Sequence, residues 1–149
     1  MPVFIDPKVS HKNLYAEAMS QFGNLTMCIT PNRSEAEGLS GCEILNGAEF
    51  LSGVICNGYN CSHVLVTLGE DGMVLVDKQG TAETILTAAQ GVYDVAGAGD
   101  TVIGVLALAY ASGNSMSDAA HIANAAAGIV VGKAGTAVAH LDELLKTNF

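Results

Sequence analysis

The sequence predicts an α/β fold: a layered sheet flanked by helices. Three observations carry that expectation. Short apolar runs bounded by turn residues alternate with longer helical stretches, the pattern of strands and helices stacked in layers. Half of the 149 residues are hydrophobic, which suits one globular domain with a core of ordinary size. No internal repeat, low-complexity tract or linker interrupts the chain.

The elements follow in order. Pro2–Asp6 is a short apolar run with no cap or turn before it, like a strand entered partway through a fold. Ser10 can cap a helix reaching Phe22, with Leu14, Ala18 and Phe22 spaced along one face and Gly23 as the stop. Leu25–Ile29 reads as a buried strand ending at Thr30-Pro31-Asn32, where proline forbids a continued ladder. Helices over Ser34–Leu39 and Ala48–Cys56 come next. His63–Leu68 is a third strand, Gly69-Glu-Asp-Gly72 a turn, and Met73–Val76 and Thr84–Leu86 an antiparallel pair. Two long helices follow, Thr101–Ser112 and Ser117–Gly132. Gly113 stops the first, and Ser115-Met-Ser-Asp118 opens the second with Asp at the usual Glu or Gln position of a capping box. Leu141–Lys146 closes the chain as a short helix.

Composition excludes several function classes. Six Lys and Arg against fifteen Asp and Glu give a formal net charge of −9, which disfavours nucleic acid and anionic membrane as partners. Cys28, Cys42, Cys56 and Cys61 form no C-x-x-C pair and have no histidines at zinc spacing. They read as reduced thiols of a cytoplasmic protein. The longest apolar stretch, Val102–Ala111, falls short of the roughly 20 residues that cross a bilayer, so a buried helix is expected there. The histidines at 11, 63, 121 and 140 are scattered and read as structural or exposed.

The run Asp94-Val-Ala-Gly-Ala-Gly-Asp-Thr101 carries the chemistry. Backbone N–H groups at a helix start lack intrahelical partners and carry the positive end of the dipole. Residues with little or no side chain let an anion approach those groups. Gly97, Ala98 and Gly99 therefore suit an anion hole. Asp100 beside it suits a base that orients a hydroxyl and takes its proton during phosphoryl transfer. The alternative is that Asp100 simply caps the helix.

Other motifs leave two readings each. Asn32-Arg33-Ser34-Glu35 follows a strand end, where α/β sheets place ligands, and it equally reads as a helix cap. Thr67-Leu-Gly69-Glu-Asp-Gly72 reads by itself as a plain strand-to-turn connection, Asn124 as a buried side chain bonding a neighbouring helix, and Lys133 as the complement of a helix C-terminus; their second readings come only with the resemblance that follows.

Taken together these motifs resemble the ribokinase-like (PfkB) carbohydrate kinases. The match runs from the start of the chain to about Leu145 and corresponds to the C-terminal half of that fold. The resemblance implies that Asp100 is the catalytic base and that Gly97, Ala98 and Gly99 are the anion hole. It implies an ATP site lined by Asn32, Arg33, Ser34, Glu35, Thr67, Gly69, Gly72 and Asn124, with Glu35 acting on Mg2+ through water. It further implies a monovalent-cation loop of Asp94, Ala96, Val130, Lys133 and Gly135, although Val138-Ala139 stand where relatives often supply a hydroxyl.

Residues 92–106, 123–133 and Asp6-Pro7-Lys8 most resemble the heptose-7-phosphate kinases, the kinase half of the bifunctional enzymes that make ADP-heptose for lipopolysaccharide. That implies ATP-dependent phosphorylation of the C1 hydroxyl of a heptose 7-phosphate, with ATP and a sugar phosphate as partners and a homo-oligomeric assembly. The family's N-terminal half, with its sugar contacts and lid, has no counterpart in this chain, so weak nucleotide binding without turnover is expected of it alone. Two other readings stay open: the same half of a fructokinase or phosphofructokinase-like enzyme, and a non-catalytic, self-associating remnant.

Overall fold

The computed structural model describes residues 2–21, 26–89, 91, 94–135 and 137–147. The chain divides into two compact units, one of residues 1–68 with 74–84 and one of residues 69–73 with 85–149.

The first unit carries a five-stranded sheet in the order β1 (Val3–Ile5), β2 (Met27–Ile29), β3 (His63–Thr67), β4 (Met73–Asp77) and β5 (Ala82–Ile85). β1 and β2 are parallel with Phe4 opposite Cys28, and β2 and β3 are parallel with Ile29 opposite Val64. The connections from β3 to β4 and from β4 to β5 are too short for a crossover, so these neighbours run antiparallel. The Lys78 N–H donating to Ser62 O at 2.9 Å and the Asp77 N–H donating to Thr81 O at 3.0 Å fit that direction. The mixed sheet matches the layered fold expected from the sequence.

Residues on one side of β2 and β3, Met27, Ile29, Val64 and Val66, pack with Leu51, Ile55 and Tyr59 of α3 (Ala48–Tyr59) and with Ala36 and Leu39 of α2 (Arg33–Ser40). Cys28 and Leu65, on the alternate side, are buried as well, as strands inside an α/β sheet usually are. α3 extends three residues beyond the expected Cys56 and ends at Asn60, whose φ of 50° forms the left-handed cap that Asn tolerates.

α1 departs from expectation. A short 3-10 turn over Val9–His11 precedes the helix Lys12–Gln21, and Ser10 does not cap it. The inward face is that of Tyr15 and Met19, whereas Leu14 is 62% exposed. The Lys8 N–H donates to the Tyr15 hydroxyl at 3.0 Å, a contact from outside the helix that holds this face inward. The expected stop at Phe22-Gly23 and the first residue of the second strand, Leu25, lie outside the described residues.

In the second unit α4 (Ala98–Ala111) packs against α5 (Met116–Val131), followed by the single turn α6 (Leu141–Leu144). Ser115 caps α5 as expected, accepting the Asp118 N–H at 3.0 Å. The buried face of α5 is almost entirely alanine: Ala119, Ala120, Ala123, Ala126 and Ala127. Such small residues permit close approach. A Cβ on Gly128 would sit 3.0 Å from the Ala88 carbonyl carbon and the Ala89 nitrogen.

The expectation that the apolar helix is buried needs correction. Only Val102, Leu106 and Ala109 of α4 are buried, while Gly104, Leu108 and Ala111 are exposed. An apolar sequence sets what a helix is able to bury, not how many neighbours it has. Among the described residues no helix is long and apolar enough to cross a membrane.

Candidate functional site

The second unit contains the glycine-rich run. α4 begins at Ala98, three residues earlier than the sequence suggests, because Gly97 takes φ 79° and reverses the chain immediately before it. Asp100 consequently stands in the first helical turn and not at the cap, and no side chain caps this end. The capping alternative for Asp100 therefore falls. The Ala98 N–H reaches Val95 O at 3.3 Å, and the Thr101 N–H and hydroxyl both donate to Gly97 O, at 3.0 and 2.9 Å.

The amides of Gly97, Gly99 and Asp100 remain at the positive end of the helix, where an anion is favoured. A Cβ built on Gly97 or Gly99 meets nothing within 4 Å among the described residues, and Asp100 is exposed. The loop is open and its carboxylate faces outward. Just before it, Asp94 Oδ1 accepts the Ala96 N–H at 2.9 Å, and the Asp94 N–H donates to Val131 O at 3.3 Å.

Gly69 and Gly72 lie in the same unit and bracket a 3-10 turn, Gly69–Asp71, with φ values of 68° and 86°. A Cβ on Gly72 would overlap the Ile85 carbonyl oxygen and come within 2.7 Å of Thr87 N. Asn124 is buried on α5, and its Nδ2 donates to Leu86 O at 2.7 Å. Both glycine and asparagine thus shape the segment after β5.

In the first unit the structure gathers chemistry at the carboxyl ends of three parallel strands, where α/β sheets leave a crevice. Asp6 follows β1, Thr30 to Asn32 follow β2, and Thr67 ends β3. Asn32 and Thr67 form an isolated parallel bridge, with the Thr67 N–H donating to Pro31 O at 3.0 Å. Asn32 Oδ1 accepts the Glu35 N–H at 2.9 Å, and Glu35 Oε2 accepts the Asn32 N–H at 3.0 Å. The pair is a complete capping box, which fixes the Glu35 carboxylate at the N-terminus of α2. Arg33 donates through Nη2 to Leu68 O at 3.2 Å, and Ser34 occupies the first turn of α2.

Sequence reasoning assigned no role to Lys8. Its Nζ lies 3.2 Å from Glu35 Oε1 and 3.5 Å from Asp6 Oδ2, and these partners, Glu35 foremost, raise the lysine's pKa above its ordinary value. The signal was present in Asp6-Pro7-Lys8 directly after a strand end. Glu35 is a hard oxygen donor of the kind Mg2+ accepts while keeping several waters; in this structure its carboxylate is engaged by the Lys8 ammonium and the Asn32 N–H, and among the described residues no group of three or more His, Cys, Asp or Glu gathers to hold a metal.

The residues implied for a monovalent cation stand before α4, at Asp94 and Ala96, and at the end of α5 and beyond, at Val130, Lys133 and Gly135. Lys133 carries its ammonium into this segment, 2.8 Å from Val138 O and 2.7 Å from Glu143 Oε2. Val130 O already accepts the Lys133 N–H at 3.0 Å. The side chain of Lys133 thus reaches the following loop and is not spent on the last carbonyls of α5. Ala96 is exposed, and Gly135 takes φ 73°.

The family model for pfkB family carbohydrate kinases matches residues 1–143. The chain belongs to that family. Among curated pfkB relatives, the bifunctional protein HldE of Paramagnetospirillum magneticum is 41% identical over 145 residues, covering 96% of this chain and 28% of that protein. HldE of Coxiella burnetii is 39% identical over 145 residues, covering 97% and 29%. This chain therefore spans less than a third of the relatives it matches. Solved pfkB-type folds agree. Thermotoga maritima ribokinase superposes with a TM-score of 0.75 at 23% identity, covering 97% of this chain and 54% of that one. Escherichia coli phosphofructokinase-2, solved in complex with potassium, gives 0.78 at 22% identity, covering 97% and 45%.

Proposed function

We propose that this chain is the C-terminal, nucleotide-binding and proton-handling portion of an ATP-dependent sugar kinase. The acceptor is the C1 hydroxyl of D-glycero-β-D-manno-heptose 7-phosphate. One observation carries the reading: an exposed carboxylate, Asp100, in the first turn of a helix whose opening amides have no side-chain cap and whose glycines leave room beside them. The similarity to HldE over nearly the whole chain supports the heptose as substrate. The coverage of about half of ribokinase supports the reading of this chain as part of a kinase fold. The sugar-contacting and lid residues would then belong to the N-terminal half of the kinase domain.

In this reading the Asp100 carboxylate accepts the hydrogen bond of the sugar hydroxyl, aims its oxygen along the transfer line, and takes the proton as the new P–O bond forms and the bond from the γ-phosphorus to the oxygen of the departing ADP breaks. Orientation is the larger contribution, because a loose transition state needs little help from a strong base. The amides of Gly97 and Gly99 receive the negative charge that grows on the transferred group; the Ala98 amide, expected among them, is turned to Val95 O. Asn32, Arg33 and Ser34 sit beside the phosphates; Thr67, Gly69 and Gly72 line the nucleotide. Asn124 holds the segment at Leu86 as the adenine-side wall. Glu35 would hold Mg2+ through water in place of the Lys8 ammonium, and the ion would supply charge neutralisation at the phosphates.

The test uses a protein carrying the whole kinase domain, with ATP consumption measured on heptose 7-phosphate and on fructose 6-phosphate. Turnover on the heptose is expected. Asp100→Asn should lower kcat by a factor of about 10²–10⁴, the scale of a positioned acid–base group. Turnover on fructose 6-phosphate alone would overturn the substrate assignment, and an unchanged Asp100→Asn rate would overturn the base.

A further inference from the structure

The end of α3 brings two sulfurs into contact. Asn60, left-handed at φ 50°, reverses the chain, and its N–H and that of Cys61 both return to Cys56 O, the second at 3.2 Å. At a helix end of this kind the residue after the left-handed one folds back against a side chain in the last turn. That contact is usually between hydrocarbons. Here it is between thiols: the Cys61 S–H donates to Cys56 Sγ at 3.8 Å, and both residues are buried. The neighbouring backbone is pinned as well. The Ser62 N–H donates to Met27 O at 2.9 Å, the Ser62 hydroxyl donates to the same oxygen at 2.7 Å, and Lys78 Nζ donates to Asn60 Oδ1 at 2.6 Å. The other cysteines are turned elsewhere. Cys28 lies outside the cluster of side chains that holds Cys56 and Cys61, and Cys42 points its Sγ at Ser40 O, 3.7 Å away.

We propose that Cys56 and Cys61 are a redox pair that hydrogen peroxide closes into a disulfide, a reversible staple across the end of α3. The sulfurs must approach by about 1.8 Å to reach bonding distance, a displacement that rotation about the two Cα–Cβ bonds covers. The hydrogen bond from Cys61 holds the Cys56 thiol below its ordinary pKa against the opposing effect of burial, which makes Cys56 the attacking sulfur. Its thiolate attacks one peroxide oxygen, the O–O bond breaks, and the hydroxide that leaves takes up the Cys56 proton as water. The product is a sulfenic acid. The Cys61 sulfur then attacks Cys56 Sγ; the S–S bond forms, the S–O bond breaks, and a second water leaves with the Cys61 proton. Two thiols lose two electrons and one peroxide becomes two waters. Burial excludes bulky reagents, whereas a molecule little larger than water enters when the last turn of the helix opens locally. The staple stands just before β3, at the opposite end of that strand from Thr67, so the inference does not rest on the proposed function.

The experiment treats the full chain, carrying Cys42→Ser to remove the accessible thiol, with hydrogen peroxide in native buffer. Remaining thiols are then blocked with iodoacetamide in denaturant, and the chain is cut with chymotrypsin, which cleaves after Tyr59. Mass spectrometry without reductant should find the Cys56 and Cys61 peptides as one species, about 2 Da lighter than their sum, with Cys28 alkylated. Dithiothreitol should separate them. The oxidised chain should melt about 5 °C above the reduced one, because the closed loop constrains the unfolded state. Adding Cys61→Ser should abolish both the linked species and the rise. Any of four results would overturn the proposal: Cys56 and Cys61 both alkylated after oxidation, Cys56 carrying two or three oxygens without a link, a linked chain that melts no higher than the reduced one, or the same rise in the Cys61→Ser chain. The peptide map is made on the intact pair, so it decides the matter even where the serine variant folds poorly. No measurement involves ATP, and failure of the kinase reading would leave every one of these results unchanged.

Discussion

Gly72 and Gly97 share a backbone conformation, with φ of 86° and 79°, but not their surroundings, and replacing each by alanine separates folding from binding. A left-handed residue with a side chain costs roughly 1–2 kcal/mol. At Gly97 nothing else is added, since its Cβ meets no described atom within 4 Å. At Gly72 the new methyl lands on the Ile85 carbonyl and lies 2.9 Å from the Leu86 carbonyl carbon. Backbone must then shift, at a further cost of about 1–3 kcal/mol. Gly72→Ala should therefore lose about 2–5 kcal/mol, and Gly97→Ala about 1–2 kcal/mol. Urea unfolding followed by circular dichroism measures both. With unchanged slopes, the midpoint of Gly72→Ala should fall well below that of Gly97→Ala. Equilibrium dialysis against ATP should then find Gly97→Ala the weaker binder in spite of its better folding. Equal midpoints would refute the reasoning, because they would mean that the Gly97 loop is packed and not open.

Two further outcomes follow from burial. His63 is held below its ordinary pKa by desolvation, so the unfolded chain takes up a proton that the folded chain resists. Stability should decline as pH falls from about 6.5 toward the lowered folded value, and His63→Gln should flatten that part of a melting-temperature profile; an unaltered profile would count against the assignment. Cys28, Cys56 and Cys61 are buried free thiols, and Cys42 is more accessible. The Cys61 thiol favours the Cys56 thiolate by hydrogen bonding, but access governs reaction with a bulky disulfide reagent. Cys42 should react first with Ellman's reagent and the other three only on unfolding, so simultaneous labelling of all four in native buffer would contradict the core as described.

The layered fold was legible because its signals are local. Strand runs ended by Pro31 and Gly69, the Ser115 cap and the glycine string before α4 all act within a few residues of themselves. What was missed depends on partners distant in sequence. Tyr15 and Met19 repeat at the same spacing as Leu14 and Ala18, and the Lys8 contact that holds the first pair inward comes from outside the helix. The composition of α4 could not reveal that Leu108 stays 69% exposed. The start of that helix was misplaced because Asp100 resembles a cap, whereas the φ of Gly97 begins the helix at Ala98. The ion pair of Lys8 with Glu35 spans 27 residues and that of Lys133 with Glu143 spans 10. Neither pairing follows from any local pattern.

The reciprocal bond between Asn32 and Glu35 shapes how any mutagenesis of this chain must be interpreted. An alanine at position 35 would delete a carboxylate and unfasten the first turn of a helix in one stroke, so a dead variant would confound lost catalysis with lost folding. Glutamine keeps an oxygen for the Asn32 amide while removing the charge. It is the substitution that lets an enzymologist attribute a defect to electrostatics alone.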